Sequence, residues 1–227
     1  MEHIIRGIRR FCAEKPGSEN HQSEEVRIIS VKNNFAYKQL PLERIRLLSL
    51  KLGHKSDPLQ CSIIDAKLSQ EYEAVSYVWG SPELVTPIIC LPGGSRIMVT
   101  KNCGEALKPL RHKRWPKLLW VDSVCINQDD FWERSELVGK MNIVYGKAHR
   151  VAIYIGPGST TTSAGLDVLR LLSNPKTKSL AMDQIASVEK LFKVPWFNRT
   201  WVIQEICLAK KPCSTTTGYA CLGKKSF

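Results

Sequence analysis

Several residues able to do chemistry stand at the points in this chain where an apolar, aromatic-rich segment stops. Ser76, Tyr77 and Trp79 close the stretch from Tyr72 to Gly80 (YEAVSYVWG), and Asp122 ends the apolar run that opens LWVDSVCINQDDFWE. Arg199, Trp201 and Glu205 fall in WFNRTWVIQE, between Trp196 and Glu205. A core segment has no reason to finish on such groups, because a polar group left unpaired inside a protein costs about 2 kcal/mol or more. We therefore read the three ends as walls of one site. Carboxylates, hydroxyl donors and an aromatic wall together are what a ribosylated nucleotide requires of a site.

Each of these residues also has a plainer reading. Glu205 can pair with Arg199 or a nearby lysine on a helix surface, and Asp122 can cap the turn that begins at Ser123. Glu133 falls in the first turn of a helix, where the helix dipole is reason enough for an acid, and Asp129 and Asp130 suit the cap before it. A magnesium site from Asp122, Asp129, Asp130 and Glu133 is not fixed by any spacing, so no metal is expected. Gly156-x-Gly158 lacks the third glycine of a dinucleotide fingerprint and reads as a turn, and neither a G-x-S-x-G elbow nor a phosphate-cradling G-x-x-x-x-G-K-[ST] loop occurs.

The elements that must position these residues follow from hydrophobic periodicity. Short strands are expected at LLSL, YEAVSYVW, IIC and RIMV between Leu47 and Val99, separated by turns at Gly53, Gly80-Ser81-Pro82 and Pro92-Gly93-Gly94. A helix is expected over 102–111. Leu118 to Val121 is continuously apolar, which marks a strand buried on both faces. From Asp130 the period becomes helical, with Leu137, Val138, Met141, Val144, Tyr145 and Ala148 on one face, and Val151 to Ile155 reads as the next buried strand. Strand, helix, strand is a βαβ unit. Helices follow around 164–173, around 182–193 with Ile185, Val188, Leu191 and Phe192 inward, and over 199–209, where Trp201 and Glu205 share a face. The fold class expected is α/β: three layers, a mostly parallel sheet with flanking helices. In such sheets ligands sit beyond the carboxyl ends of the strands, where Ser76, Tyr77 and Asp122 lie.

Length and composition bound the rest. A chain of 227 residues with 43% hydrophobic and 24% charged residues suits one soluble globular domain. We divide it into a loosely ordered leader (1–36), a domain (37–210) and an irregular tail (211–227) that reads as truncated or altered. No apolar run approaches the ~18 residues that span a bilayer, and no secretory signal follows Arg6, Arg9 and Arg10, so no membrane span and a cytoplasmic location are expected. The eight cysteines are scattered singly, as befits reduced thiols. The net charge of +12 is concentrated at Lys101, Lys108, Arg111, Lys113, Arg114 and Lys117 and in the tail. No aromatic interleaving or finger spacing accompanies it, so a solvated basic face is expected rather than a nucleic-acid site, with anionic ligands or surfaces as the alternative.

Taken in order, the three blocks resemble the fungal heterokaryon incompatibility (HET) domain, with its Y-x-A-L-S-Y-x-W-G, W-I-D-x-x-C-I-N-Q-x-x-x-x-E-R and W-x-x-R-x-W-x-x-Q-E. Ile45 to Gly53 is similar to that family's lead-in, and the resemblance covers roughly 40–210. It departs from the pattern at Leu137, where Gln is usual, and after Lys210. The resemblance implies a filamentous fungus, non-self recognition and programmed cell death. HET domains in turn resemble Toll/interleukin-1 receptor (TIR) domains: the strand ending Ser76-Tyr77, the one ending Trp120-Val121-Asp122 and the run Val151 to Ile155 are similar to TIR strands, and Trp201 to Glu205 reproduces W-x-x-x-E. In enzymatic TIR domains that glutamate promotes cleavage of NAD, so the resemblance implies Glu205 as the catalytic carboxylate, Ser76, Tyr77, Trp79, Asp122, Arg199 and Trp201 as substrate-binding residues, and NAD as substrate rather than cofactor. Breaking the nicotinamide bond puts positive charge on the ribose, which a carboxylate stabilises; Trp79 or Trp201 would stack on a ring and Arg199 pair a phosphate. Self-association or other incompatibility proteins are the implied partners. The alternatives are a non-enzymatic signalling and oligomerisation module, or an inactive truncated copy.

Overall fold

The computed structural model describes residues 34–41, 43–158, 160–172, 179–202, 205 and 219–220. Eight strands form one sheet in the order β5-β4-β2-β1-β6-β3-β7-β8, comprising β1 (Arg44–Leu50), β2 (Leu59–Lys67), β3 (Glu73–Tyr77), β4 (Leu84–Cys90), β5 (Ser95–Thr100), β6 (Lys117–Trp120), β7 (Arg150–Tyr154) and β8 (Tyr219–Ala220). The helices are α1 (Lys101–Leu107), α2 (Asp122–Cys125), α3 (Phe131–Gly139), α4 (Met141–Lys147), α5 (Thr160–Leu172) and α6 (Met182–Phe192), with 3₁₀ turns at Lys108–Leu110 and Pro195–Asn198.

The α/β class is the one expected, and the sheet is mixed. β6, β3 and β7 run parallel at the centre of the candidate site, and β2 runs parallel to β4. The pairs β1–β2, β1–β6, β4–β5 and β7–β8 are antiparallel. The expected strand, helix, strand unit exists between β6 and β7, but β3 lies between these two strands and pairs with both. β2 was not expected. Its sequence LQCSIIDAK carries exposed polar residues, and its burial follows no clean period.

Residues adjacent along a strand point to opposite faces, and β3 shows what covers each face of the sheet. Tyr77 Oη donates to Ser123 Oγ at the start of α2 (2.6 Å), and that hydroxyl also meets Cys103 Sγ of α1 at 3.3 Å. Ser76 turns the other way, toward Trp196, Arg199 and Glu205. Helical segments therefore cover both faces, giving the three layers expected.

The helix expected from Asp130 onward is two helices meeting at Lys140. Asp130 caps the first, accepting from the N–H groups of Trp132 and Glu133 at 3.0 Å each. Leu137, Met141, Val144, Tyr145 and Ala148 are buried as their spacing required. Tyr72 Oη donates to the Val144 carbonyl (2.6 Å) and Tyr145 Oη to that of Val75 (3.2 Å), which fixes α4 against β3.

α6 corrects one expectation: Leu191 is buried, whereas Ile185 and Phe192 are exposed. The helix packs on α5, where a Cβ at Gly165 would stand 2.7 Å from the Ser187 carbonyl, so a narrow stripe suffices. The helix expected over 199–209 is seen only in its first turn, the remainder lying outside the described residues. In the tail, Tyr219 and Ala220 pair with Tyr154 and Ile153.

A buried ion pair braces the sheet against α3. Arg46 of β1, 2% exposed, forks onto both carboxylate oxygens of Glu133 and also donates to the Lys38 carbonyl. The Asn127 N–H donates to Glu133 Oε1 at 2.7 Å, and the Tyr37 ring lies 5.1 Å from the Arg46 guanidinium. Glu133 thus answers to an arginine 87 residues away rather than to the helix dipole alone.

Candidate functional site

The site is built where the parallel strands end. β3 delivers Ser76, buried at 1% exposure, and β6 leads through Val121 into Asp122. The 3₁₀ turn at Pro195–Asn198 brings Trp196 under the sheet, and one helical turn, closed by the Glu205 N–H donating to the Trp201 carbonyl at 3.1 Å, brings up Glu205.

Glu205 is 1% exposed and fully engaged. Ser76 Oγ donates to Oε2, Arg199 Nη1 donates to the same oxygen at 3.1 Å, and Nη2 donates to Oε1 at 3.1 Å. This is a two-pronged, charge-assisted pairing. Trp196 Nε1 donates to Ser76 Oγ at 2.8 Å, so the hydroxyl's lone pair is taken and its proton is directed at the carboxylate. Burial holds the Glu205 carboxyl above the usual glutamate range, against the opposing pull of Arg199 and Ser76.

Asp122 forms the second part. Trp79 Nε1 donates to Oδ2 and the Ser123 N–H to Oδ1, each at 2.8 Å. Burial pushes this carboxyl up as well, with Trp79, Ser123 and Arg199 drawing it back. The charge of Asp122 raises Glu205 further, and Arg199 draws both carboxyls down. Either carboxylate could accept from the hydroxyls of a ribose if Arg199 turned to a phosphate. Trp79 is 37% exposed and the Arg199 side chain 19%, so solvent reaches the site from their side.

The sequence-derived residues divide accordingly. Ser76, Arg199 and Glu205 touch one another, and Trp79 and Asp122 form a pair alongside. Tyr77 points away from Ser76 but reaches Ser123 and lies beside Asp122, and burial, then the Asp122 charge, raises its hydroxyl well above the ordinary range. Trp201 is half-buried and supplies the carbonyl that holds Glu205. Glu205 has the arginine partner of the plainer reading, but inside the protein rather than on a helix surface. Asp122 likewise meets the N–H of Ser123 as a cap would, and adds Trp79.

Trp196 was missed, since a tryptophan in an apolar block reads as core. Trp120 Nε1 is buried without a hydrogen-bond partner among the described residues; its strand position, opposite Ala74, puts it on the Ser76 face. Three of the carboxylates from Asp122 to Glu133 serve separate partners: Asp130 the α3 cap, Glu133 Arg46, and Asp122 itself Trp79. A cleft of about 180 Å³ lined by Leu40, Ile45, Leu68, Trp132, Leu137 and Val144 opens elsewhere and touches none of the Glu205 cluster.

The comparisons with known proteins agree with the three sequence blocks. The heterokaryon incompatibility protein (HET) family model matches residues 72–205, well over half of the chain. Over an alignment of 254 residues the chain is 28% identical to heterokaryon incompatibility protein 6, OR allele, of Neurospora crassa, covering 88% of this chain but 37% of that protein. No solved structure gives a significant match.

Proposed function

Because the chain belongs to the heterokaryon incompatibility (HET) family, we propose that it acts in fungal incompatibility and programmed cell death by cleaving NAD at the nicotinamide bond, with Glu205 as the acting carboxylate. The observation that carries this reading is the buried Glu205 carboxylate at the carboxyl ends of parallel strands, held by the Ser76 hydroxyl, whose place a ribose hydroxyl can take, and by the Arg199 guanidinium, which can turn to a phosphate. When the bond between nicotinamide and ribose C1′ breaks, the electron pair leaves with nicotinamide. Glu205 stabilises the positive charge on the ribose, and water adds at C1′ and gives up a proton. Asp122, with Trp79, lines the entrance, and Arg199 exchanges Glu205 for a phosphate of the bound dinucleotide. Tyr77, beside Asp122, adds a hydroxyl to that side of the pocket.

One observation favours a second reading. Both Glu205 oxygens are satisfied within the fold, as they would be in a purely structural buried pair, and the domain would then act as an oligomerising signalling module. The deciding experiment measures nicotinamide released from NAD by concentrated wild-type protein and by Glu205→Gln, with circular dichroism and gel filtration on both. Release abolished in a folded, normally assembling variant is the expected result. No release by the wild type in any assembly state, with toxicity in cells surviving Glu205→Gln, would replace the enzyme with the module.

A further inference from the structure

A second surface lies at the end of the sheet where β1 finishes and β6 begins. These strands are antiparallel with Leu50 opposite Lys117, and Leu52 and Trp115 each stand two residues beyond, on the segments that follow β1 and precede β6. Both side chains are more than half exposed, Leu52 at 54% and Trp115 at 55%. Trp115 is not loose: one face stacks on His112, with ring centroids 3.8 Å apart and 18° between planes. Arg111 ties the segment to the neighbouring loop, donating to the carbonyls of His54, Asp57 (3.2 Å) and Pro58 (2.8 Å). The loop is further closed by Asp57, whose carboxylate accepts from the His54 N–H at 2.7 Å.

Cations flank both residues along the chain. Lys55, Lys108, Lys113 and Arg114 are exposed, Lys51 is partly exposed, and among the described residues none of the five forms an ion pair. Exposed tryptophan and leucine on segments rich in lysine and arginine suit the boundary of a bilayer, where an indole settles at headgroup depth and cations meet acidic lipids. Single-stranded nucleic acid fits less well, since one indole face is already covered and leucine offers a base nothing to stack on.

We propose that this end of the sheet seats the protein on an anionic phospholipid surface, with Trp115 and Leu52 entering the headgroup layer. The residues lie outside the Glu205 cluster, so the proposal stands independently of the catalytic reading. The test is co-sedimentation of the full chain with vesicles of phosphatidylcholine alone and with about one-third phosphatidylserine, at low and high salt. The variants are Lys113→Glu with Arg114→Glu, and Leu52→Ser with Trp115→Ser, each checked for folding by circular dichroism.

Binding is expected only with phosphatidylserine and should weaken with salt. Each lost cation costs about fivefold, so the charge reversal should weaken binding at least about 25-fold. The serine pair should weaken it at both salt concentrations. Absence of binding to acidic vesicles, or binding indifferent to both pairs, overturns the proposal. So does retention on single-stranded DNA that depends on these residues while vesicles go unbound, which would make the surface a nucleic-acid one.

Discussion

The Ser76 hydroxyl has one proton and two lone pairs, and its neighbours decide where the proton goes. Trp196 and Arg199 can only donate, so the hydroxyl donates to Glu205. Burial nevertheless lifts the Glu205 carboxyl above its ordinary value of 4.5, and a raised carboxyl holds its proton more tightly folded than unfolded. Its contribution therefore favours the fold below 4.5 and is lost as pH rises through the higher folded value. Asp122 has the same sign, starting from 3.8, and is present in wild type and variant alike. Denaturant melts at steps from about pH 4 to about pH 7 should show wild type losing stability relative to Glu205→Gln as pH rises. A relative gain would mean that Arg199, not burial, governs the carboxyl. At this scale the polar ends of the apolar blocks were legible in the sequence. The Arg46–Glu133 pair was not, because 87 residues separate two charges that each have an ordinary local explanation.

Among the elements, the turn after β3 shows how tightly the site is set. Gly80 has φ +73°, and a Cβ there would lie 2.5 Å from Asn102 Nδ2, the group that donates to the Val78 carbonyl at 3.0 Å. Gly80→Ala should cost about 1–3 kcal/mol by equilibrium unfolding, from backbone strain plus the clash. Adding Asn102→Ala should return the clash portion only. A Gly80→Ala protein as stable as wild type would show that the turn relaxes freely. Strands buried on both faces and helices with a clear stripe were readable from periodicity, as β6 and α4 show. β2 was not, because its burial follows neither period, and α6 buries less than its stripe suggested, resting chiefly on α5 through the close approach at Gly165.

At the scale of the whole sheet, the borders among the described residues are β5 and the β7 side, where Tyr219 and Ala220 add a short antiparallel cover. Residues Val151 to Tyr154 are buried, so uncovering this edge exposes an apolar strand with free backbone groups. A chain ending after Lys210 should associate irreversibly at concentrations where the full chain elutes as a defined species on gel filtration; unchanged elution would show that β8 is dispensable. By itself the sequence determined the α/β class, the family and which chain segments end in polar groups, because periodicity and ordered motifs are local properties. Only the tertiary structure decided that β3 lies between β6 and β7, that Ser76 meets Trp196 while Tyr77 meets Ser123, and that Arg199 closes on Glu205. Strand order and pairing partners are set by packing among residues far apart in the chain, and no local pattern encodes that.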